Sequence, residues 1–159
     1  MDNDEKKLQA AKHVSVADHM LTQTYPFVQD PKLLLAVVDN LYSAIRLSME
    51  TVLEYERKYK RVPPYAGTFN SMVSVLKDNC SRRYSLKDDH FELIQQISEI
   101  MEQHKKSAIE FSRKDTFVIC SDNYRLKTIN LEALRKFISQ TKLFVHTLME
   151  GVERDRRSS

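Results

Sequence analysis

Hydrophobic residues recur at steps of three and four along most of this chain, and that spacing predicts amphipathic α-helices. The first such stretch covers residues 5–24. Because the residue before a proline is pushed out of helical geometry, Tyr25-Pro26 predicts the end of this helix. The apolar positions of the stretch are Leu8, Ala11, Val14, Ala17 and Leu21.

The second stretch is the longest and has the clearest boundaries. Asp30 is a natural N-cap, and Pro31 fits the first helical position, where its missing N–H costs nothing. We expect Val62-Pro63-Pro64 to end the helix. A helix of about thirty residues is a rod of about 45 Å. Its stripe consists of Leu34, Val38, Leu41, Ile45, Met49, Val52, Tyr55 and Tyr59.

Three further helices follow the same pattern. One begins after Thr68. The next is expected to start at a capping box formed by Ser85 and Asp88 and to run to about Lys106. The last has Asn130 as its N-cap, and we expect its end to fray over residues 153–159, which have no apolar partners. The apolar positions are Phe69, Met72, Val73, Leu76 and Cys80, then Leu86, His90, Leu93, Ile97, Ile100 and His104, then Leu131, Leu134, Ile138, Thr141, Val145, Leu148 and Val152.

Residues 111–129 interrupt the helical pattern. Residues 117–120 (FVIC) favour a strand, Ser121, Asp122 and Asn123 are turn residues, and residues 124–128 alternate between apolar and charged side chains. This order predicts a β-hairpin. The sequence therefore predicts an all-α protein, a five-helix bundle with a small β-hairpin inserted before the last helix, in one domain covering residues 1–159.

Composition agrees with a helical domain and adds an asymmetry of charge. The chain has 159 residues, 42% of them hydrophobic, and only two glycines, whereas an all-β fold needs many turns. Residues 1–56 carry five Lys/Arg and nine Asp/Glu, a net of −4. Residues 57–159 carry the other 20 bases and 13 acids, a net of +7. The last two thirds are therefore the basic part of the chain.

The sequence contains no apolar stretch near the ~20 residues that a membrane span needs, and its highly charged start does not read as a signal peptide. Its two cysteines, Cys80 and Cys120, lie far apart and lack the spacing of metal ligands. We therefore expect a cytoplasmic protein with free thiols and no membrane association.

Most common catalytic motifs are absent from the sequence. Glycines occur only at positions 67 and 151, which leaves no phosphate loop, and there is no GxSxG or HExxH motif. No two of the five histidines are four residues apart. The sequence thus predicts neither a cofactor nor a metal site.

One pair of residues, Arg83 and His90, is a candidate for catalysis. Arg83 and His90 are separated by six residues, RYSLKDDH, and this spacing resembles the signature of the HEPN superfamily. Those are small helical-bundle proteins, many of them metal-independent ribonucleases. The resemblance implies that Arg83 steadies a phosphate while His90 moves a proton from a 2′-hydroxyl, in a dimer. Tyr84 stands where the family often has a small polar residue.

Two longer segments, TYPFVQDPKLLLAVVDNLYSAI and EFSRKDTFVICSDNYRLKTI, are similar to segments of short uncharacterised archaeal helical proteins. That resemblance implies a prokaryotic setting and no activity.

The basic clusters are the remaining candidates for function. Cations with interleaved tyrosines are typical of surfaces that bind RNA. The sequence predicts a non-catalytic module that binds RNA, a ribonucleoprotein or a protein partner through this basic part. The alternatives are a HEPN-like ribonuclease using Arg83 and His90, a bundle that self-associates as a homodimer through its last helix, and a set of simply solvated charges. The candidate binding residues are Arg57, Lys58, Lys60 and Arg61, and, around the hairpin, Arg113, Lys114, Tyr124, Arg125 and Lys127, with further cations at residues 82–83 and 105–106.

Overall fold

The predicted fold class is confirmed: long helices form a bundle, and a small antiparallel sheet precedes the last of them. This computed structural model describes residues 1–113, 115–121 and 126–158. The elements are α1 (Asn3–His19), a π-helical segment (Met20–Thr24), α2 (Tyr25–Val28), α3 (Lys32–Lys58), α4 (Phe69–Cys80), α5 (Asp88–Lys106), β1 (Ser107–Arg113), β2 (Thr116–Ser121), β3 (Leu126–Asn130) and α6 (Leu131–Ser158).

Pro26 predicted that the first helix ends at Tyr25, but the helical run continues to Val28. The chain widens into the π-helical segment and then forms the short turn α2, where Pro26 occupies the first turn. Proline supplies no N–H to this continuous helical run, and the turn before it has π-helical i→i+5 hydrogen bonds, such as that from the Tyr25 N–H to the Met20 carbonyl. The helix ends at Gln29, whose backbone is left-handed with φ 52°.

Two other helix boundaries are set by left-handed residues rather than by those predicted. Lys60 (φ 59°) ends α3 before the prolines, in a Schellman motif in which Arg61 N–H donates to the Glu56 carbonyl at 3.0 Å. Ser85 (φ 55°) closes the turn after α4 in the same way, so it does not form the predicted capping box of α5. Both turns fold the following residues back over the end of the helix.

Side chains accept backbone N–H bonds at the starts of three helices, and the predicted cap of α6 is confirmed. Pro31 rather than the predicted Asp30 is the N-cap residue of α3, although Asp30 Oδ1 accepts from the Lys32 N–H at 3.0 Å. Thr68 Oγ1 accepts from the Ser71 N–H at 3.3 Å at the start of α4. Asn130 Oδ1 accepts from the Ala133 N–H at 2.7 Å at the start of α6.

The sheet contains the predicted hairpin and one further strand. Strands β2 and β3 pair antiparallel, with Phe117 opposite Ile129 and Ile119 opposite Lys127. The predicted turn residues Asp122 and Asn123 lie outside the described part of the chain. Strand β1, which the sequence pattern did not predict, pairs with the other side of β2 to give the order β1-β2-β3. Three buried residues of the sheet, Phe117, Ile119 and Ile129, join the helical core.

Helix α3 is the centre of the bundle and packs against α1, α4, α5 and α6. The apolar stripe of α6, from Leu134 to Val152, is buried in the same core. That stripe was the basis for predicting self-association, and the bundle already uses it. Beyond the stripe α6 continues to Ser158, so residues 153–158 are helical rather than frayed. Among the described residues, no helix is long and apolar enough to cross a membrane.

Candidate functional site

A glutamate buried on the apolar face of α3 organises the most polar part of the core. The side chain of Glu56 is only 1% exposed. Its Oε2 atom accepts from Arg61 Nη1 at 3.3 Å and from Arg83 Nη1 at 3.1 Å, and its Oε1 atom accepts from the Tyr84 hydroxyl at 2.7 Å. A buried carboxylate is tolerated only when it is paired and hydrogen-bonded, and here both oxygens are.

A second carboxylate ties this cluster to the end of α6. Asp155 Oδ2 accepts from the Tyr55 hydroxyl and from Arg61 Nη1, the latter at 3.2 Å. The hydrogen bond from Tyr55, together with the hydrogen bond and the charge of Arg61, lowers the pKa of Asp155. Burial and the same hydrogen bond raise the pKa of Tyr55, which therefore stays a neutral donor. Arg61 thus joins the end of α3 to the end of α6.

Tyr84 is held between Glu56 and the backbone of α6. Its ring is 1% exposed and lies where a Cβ atom on Gly151 would be, 2.3 Å from that position. Only glycine at position 151 leaves room for the ring. The neighbouring thiol of Cys80 is also buried, and burial, with the charge of Glu56, raises the pKa of that thiol to about 12.

Several cations surround this network on the protein surface. Five of them are exposed and form no ion pair with another described residue: Arg57, Lys58, Lys60, Arg82 and Arg154. Between them lies Tyr59, which is 43% exposed; Arg61 stacks over its ring at 4.8 Å and Lys58 Nζ lies 5.9 Å from its centre. We call this surface the basic end, and it consists of Arg57, Lys58, Lys60, Arg82 and Arg154, with Arg61 and Arg83 at its centre.

The structure gives Arg83 and His90 different partners. Arg83 is bound to Glu56, whereas His90 Nδ1 accepts from the Lys87 N–H at 2.9 Å at the start of α5. The His90 ring lies 5.9 Å from the ring of Phe144. Within the described residues no hydrogen bond or ion pair joins Arg83 to His90. Their use in a ribonuclease stays a prediction.

The one sheet cation whose side chain the structure describes, Lys127, does not join the basic end. Lys127 Nζ is paired with Glu99 at 3.1 Å, and Lys105 and Lys106 lead directly into β1. Strand β3 runs into the start of α6, and Asp155 lies 24 residues further along that helix, a distance of about 36 Å. The side chain of Arg113 and the residues Lys114, Tyr124 and Arg125 are outside the described part of the chain. The clusters at 57–61 and 82–83 do lie together.

Glu56, Tyr84, Asp155 and Gly151 were not predicted as site residues. Glu56 is four residues after Val52 and seven after Met49, so it falls on the apolar stripe of α3. Two features of the sequence could have indicated this cluster. One is a single glutamate on the apolar stripe of α3, and the other is a single glycine on the stripe of the last helix. Pairing Glu56 with Arg61 and Arg83 needs the two left-handed turns, which the sequence pattern did not predict.

Comparison with known proteins gives no assignment: no family model matches this chain, and no curated protein matches it either. Nor do His, Cys, Asp and Glu side chains of the described residues group in threes in a way that could hold a metal ion. The basic end with its buried Glu56 network is therefore the candidate site on the evidence of its own geometry.

Proposed function

We propose that this protein is a non-catalytic helical module that binds single-stranded RNA through its basic end. The observation that supports this most is the convergence of separate basic segments, 57–61, 82–83 and residue 154, on one end of the bundle. Phosphates of a nucleic acid are bound mainly by Arg and Lys, and the release of counterions supplies much of the affinity.

Tyr59 adds a contact for bases. Proteins that bind single strands combine a cationic track with exposed aromatic rings on which bases stack, and such a contact contributes about 1–3 kcal/mol per base. Tyr59 is exposed and flanked by Lys58 and Lys60. Tyrosine is also enriched in protein–protein interfaces, so the ring alone does not distinguish RNA from an acidic protein partner; the cationic track on both sides of the ring is what supports RNA.

The experiment measures the affinity for a fluorescein-labelled single-stranded RNA by fluorescence anisotropy over a range of salt concentrations. The triple variant Arg57→Gln, Lys58→Gln, Lys60→Gln should lower the affinity at least tenfold and flatten the salt dependence by about 0.7 per lost phosphate contact. Tyr59→Leu should lower the affinity with an unchanged salt slope, because stacking releases no counterions.

The matched control removes three exposed lysines that lie outside the basic end, Lys12, Lys32 and Lys136. This variant has the same change in net charge and should keep nearly the affinity of the unmodified protein. Equal losses in both triple variants would mean that net charge alone attracts RNA and would reject the basic end as the site. Absence of binding at low salt would reject the function itself.

A further inference from the structure

We propose that Arg61 and Arg83 act together as a clamp for a single phosphate group, with Glu56 as their common anchor. This inference rests on the proposed function for the identity of the polymer, and it names the residues that would bind one phosphate specifically. Nothing in the sequence pattern pairs these two arginines, which are separated by α4.

The two guanidinium groups are close enough to share one anion. Both Nη1 atoms donate to the same atom, Glu56 Oε2, at 3.3 and 3.1 Å. They therefore lie no farther apart than the sum of those distances. A phosphate that accepts bonds of about 2.8 Å from both groups spans a gap of that size.

Each arginine keeps donors for a ligand. The Arg61 side chain is 30% exposed and the Arg83 side chain 40%, while the carboxylate of Glu56 beneath them is 1% exposed. Only the Nη1 atoms donate to acceptors within the described residues. The Nε and Nη2 groups therefore have no acceptor among the described residues, and a ligand can supply one. The anchoring carboxylate is covered, so an incoming anion cannot contact it directly.

The positions of both arginines are fixed before a ligand arrives. Arg61 is held by Glu56, by Asp155 and by its stacking on Tyr59. Arg83 is the residue before Tyr84, and the packing of the Tyr84 ring against Gly151 fixes the backbone at this point. Ordering a free arginine side chain on binding costs about 0.5–1.5 kcal/mol, and here most of that ordering has already taken place.

The local charge favours an added anion. Two carboxylates, Glu56 and Asp155, balance the two arginines, so the network itself is neutral. The nearby acids on the surface are already paired, Glu54 with Lys6, Glu150 with Arg157 and Glu153 with Lys7. The exposed cations of the basic end are then in excess. An incoming phosphate would meet a positive potential with two forked donors at its centre.

The test uses the full chain and two probes, inorganic phosphate and a single-stranded RNA with a 5′-hydroxyl end. Binding of phosphate is followed by the NMR signals of the arginine Nε–H groups, which report on each guanidinium directly. We expect the Arg61 and Arg83 signals to shift and to saturate together, and those of Arg135, exposed on α6 outside the basic end, to stay in place.

The variant Arg83→Lys keeps the charge and can still pair with Glu56, but it loses the planar fork. It should weaken phosphate binding about tenfold, whereas the matched control Arg135→Lys should change it less than about twofold. Arg61 and Arg83 signals that do not move at millimolar phosphate in the unmodified protein would overturn the clamp, whatever the stability of the variant.

The two probes separate this inference from the proposed function. Saturable phosphate binding at Arg61 and Arg83 without any RNA binding would support the clamp for a free phosphate and reject the RNA function. RNA binding that depends on Arg57, Lys58 and Lys60 but is unchanged in Arg83→Lys would keep the function and overturn the clamp. If Arg83→Lys loses both the binding of inorganic phosphate and the binding of RNA, the clamped group is an RNA phosphate.

Discussion

Replacing Gly151 by alanine tests whether the Tyr84 ring is locked as the structure indicates. A Cβ atom at this position would lie 2.3 Å from Tyr84 Cδ1 and 2.6 Å from Cε1, which is far inside van der Waals contact. The ring is 1% exposed and its hydroxyl donates to Glu56, so it has no free space to enter. Gly151→Ala must displace either the ring or α6.

The expected magnitude comes from three opposing effects. Alanine is about 1 kcal/mol better than glycine inside a helix, which on its own would stabilise the variant. Forcing an extra methyl group into a packed core costs about 1–3 kcal/mol. Moving Tyr84 also breaks its buried hydrogen bond to a charged carboxylate, which costs about 1.5–3 kcal/mol. The unfavourable effects are larger, and we expect a net loss of about 3 kcal/mol in the free energy of unfolding.

Urea unfolding followed by circular dichroism measures this loss, and a thermal melt should show a decrease in Tm of about 6–12 °C for a chain of this size. Gly67→Ala is the matched control, because nothing lies within 4 Å of a Cβ atom there; it should leave the stability unchanged or raise it slightly. Gly151→Ala made in a Tyr84→Leu background should cost much less than in the unmodified protein. A Gly151→Ala variant as stable as Gly67→Ala would refute the locked ring.

Four further predictions concern the same end of the bundle. The lowered pKa of Asp155 contributes stability that is present above the unfolded pKa of about 3.9 and is lost as the pH falls through the folded value. In Asp155→Asn, the free energy of unfolding measured in urea should therefore change less with pH in the acid range than in the unmodified protein. Cys80, with its raised pKa, should resist iodoacetamide at pH 8 in the folded protein and react once the chain is unfolded, as read by mass spectrometry. His90→Ala should cost about 1 kcal/mol in urea unfolding, like a lost helix cap, and RNA cleavage that disappears in this variant would instead support the ribonuclease alternative. Glu56→Leu combined with Tyr84→Phe leaves the partly exposed Arg61 and Arg83 without their shared carboxylate, so it should lower the free energy of unfolding by about 1–3 kcal/mol in the same assay and abolish the phosphate-induced NMR shifts of both arginines.

The helices could be predicted because their cause is local. Spacing along the chain places apolar residues on one face, and a cap such as Asn130 is the residue next to the helix that it starts. The hairpin was predicted for the same reason. Strand β1 was missed because its seven residues, SAIEFSR, do not alternate cleanly and because it is held by pairing with β2, a partner the pattern could not supply.

The candidate site could be predicted only in part, because its causes are not local. The basic segment 57–61 was identified from composition, but the sequence left open whether the hairpin cations share its face; of these, Lys127 lies at the other end of α6. Glu56 and Asp155 are 99 positions apart, and they come together because Arg61 turns back at the left-handed Lys60. A lysine at a left-handed position is uncommon, and no simple pattern indicates it.

The energetics of burying Glu56 show what this network adds to the fold. A carboxylate taken out of water loses hydration that hydrogen bonds return only when the geometry is good, and buried ion pairs are often no more stabilising than apolar residues of similar volume. A leucine at position 56 would continue the stripe of Val52 and fill the same space. What the leucine could not do is hold two arginines from different parts of the chain at a fixed separation. The placement of those arginines is therefore the property that Glu56 adds to the fold.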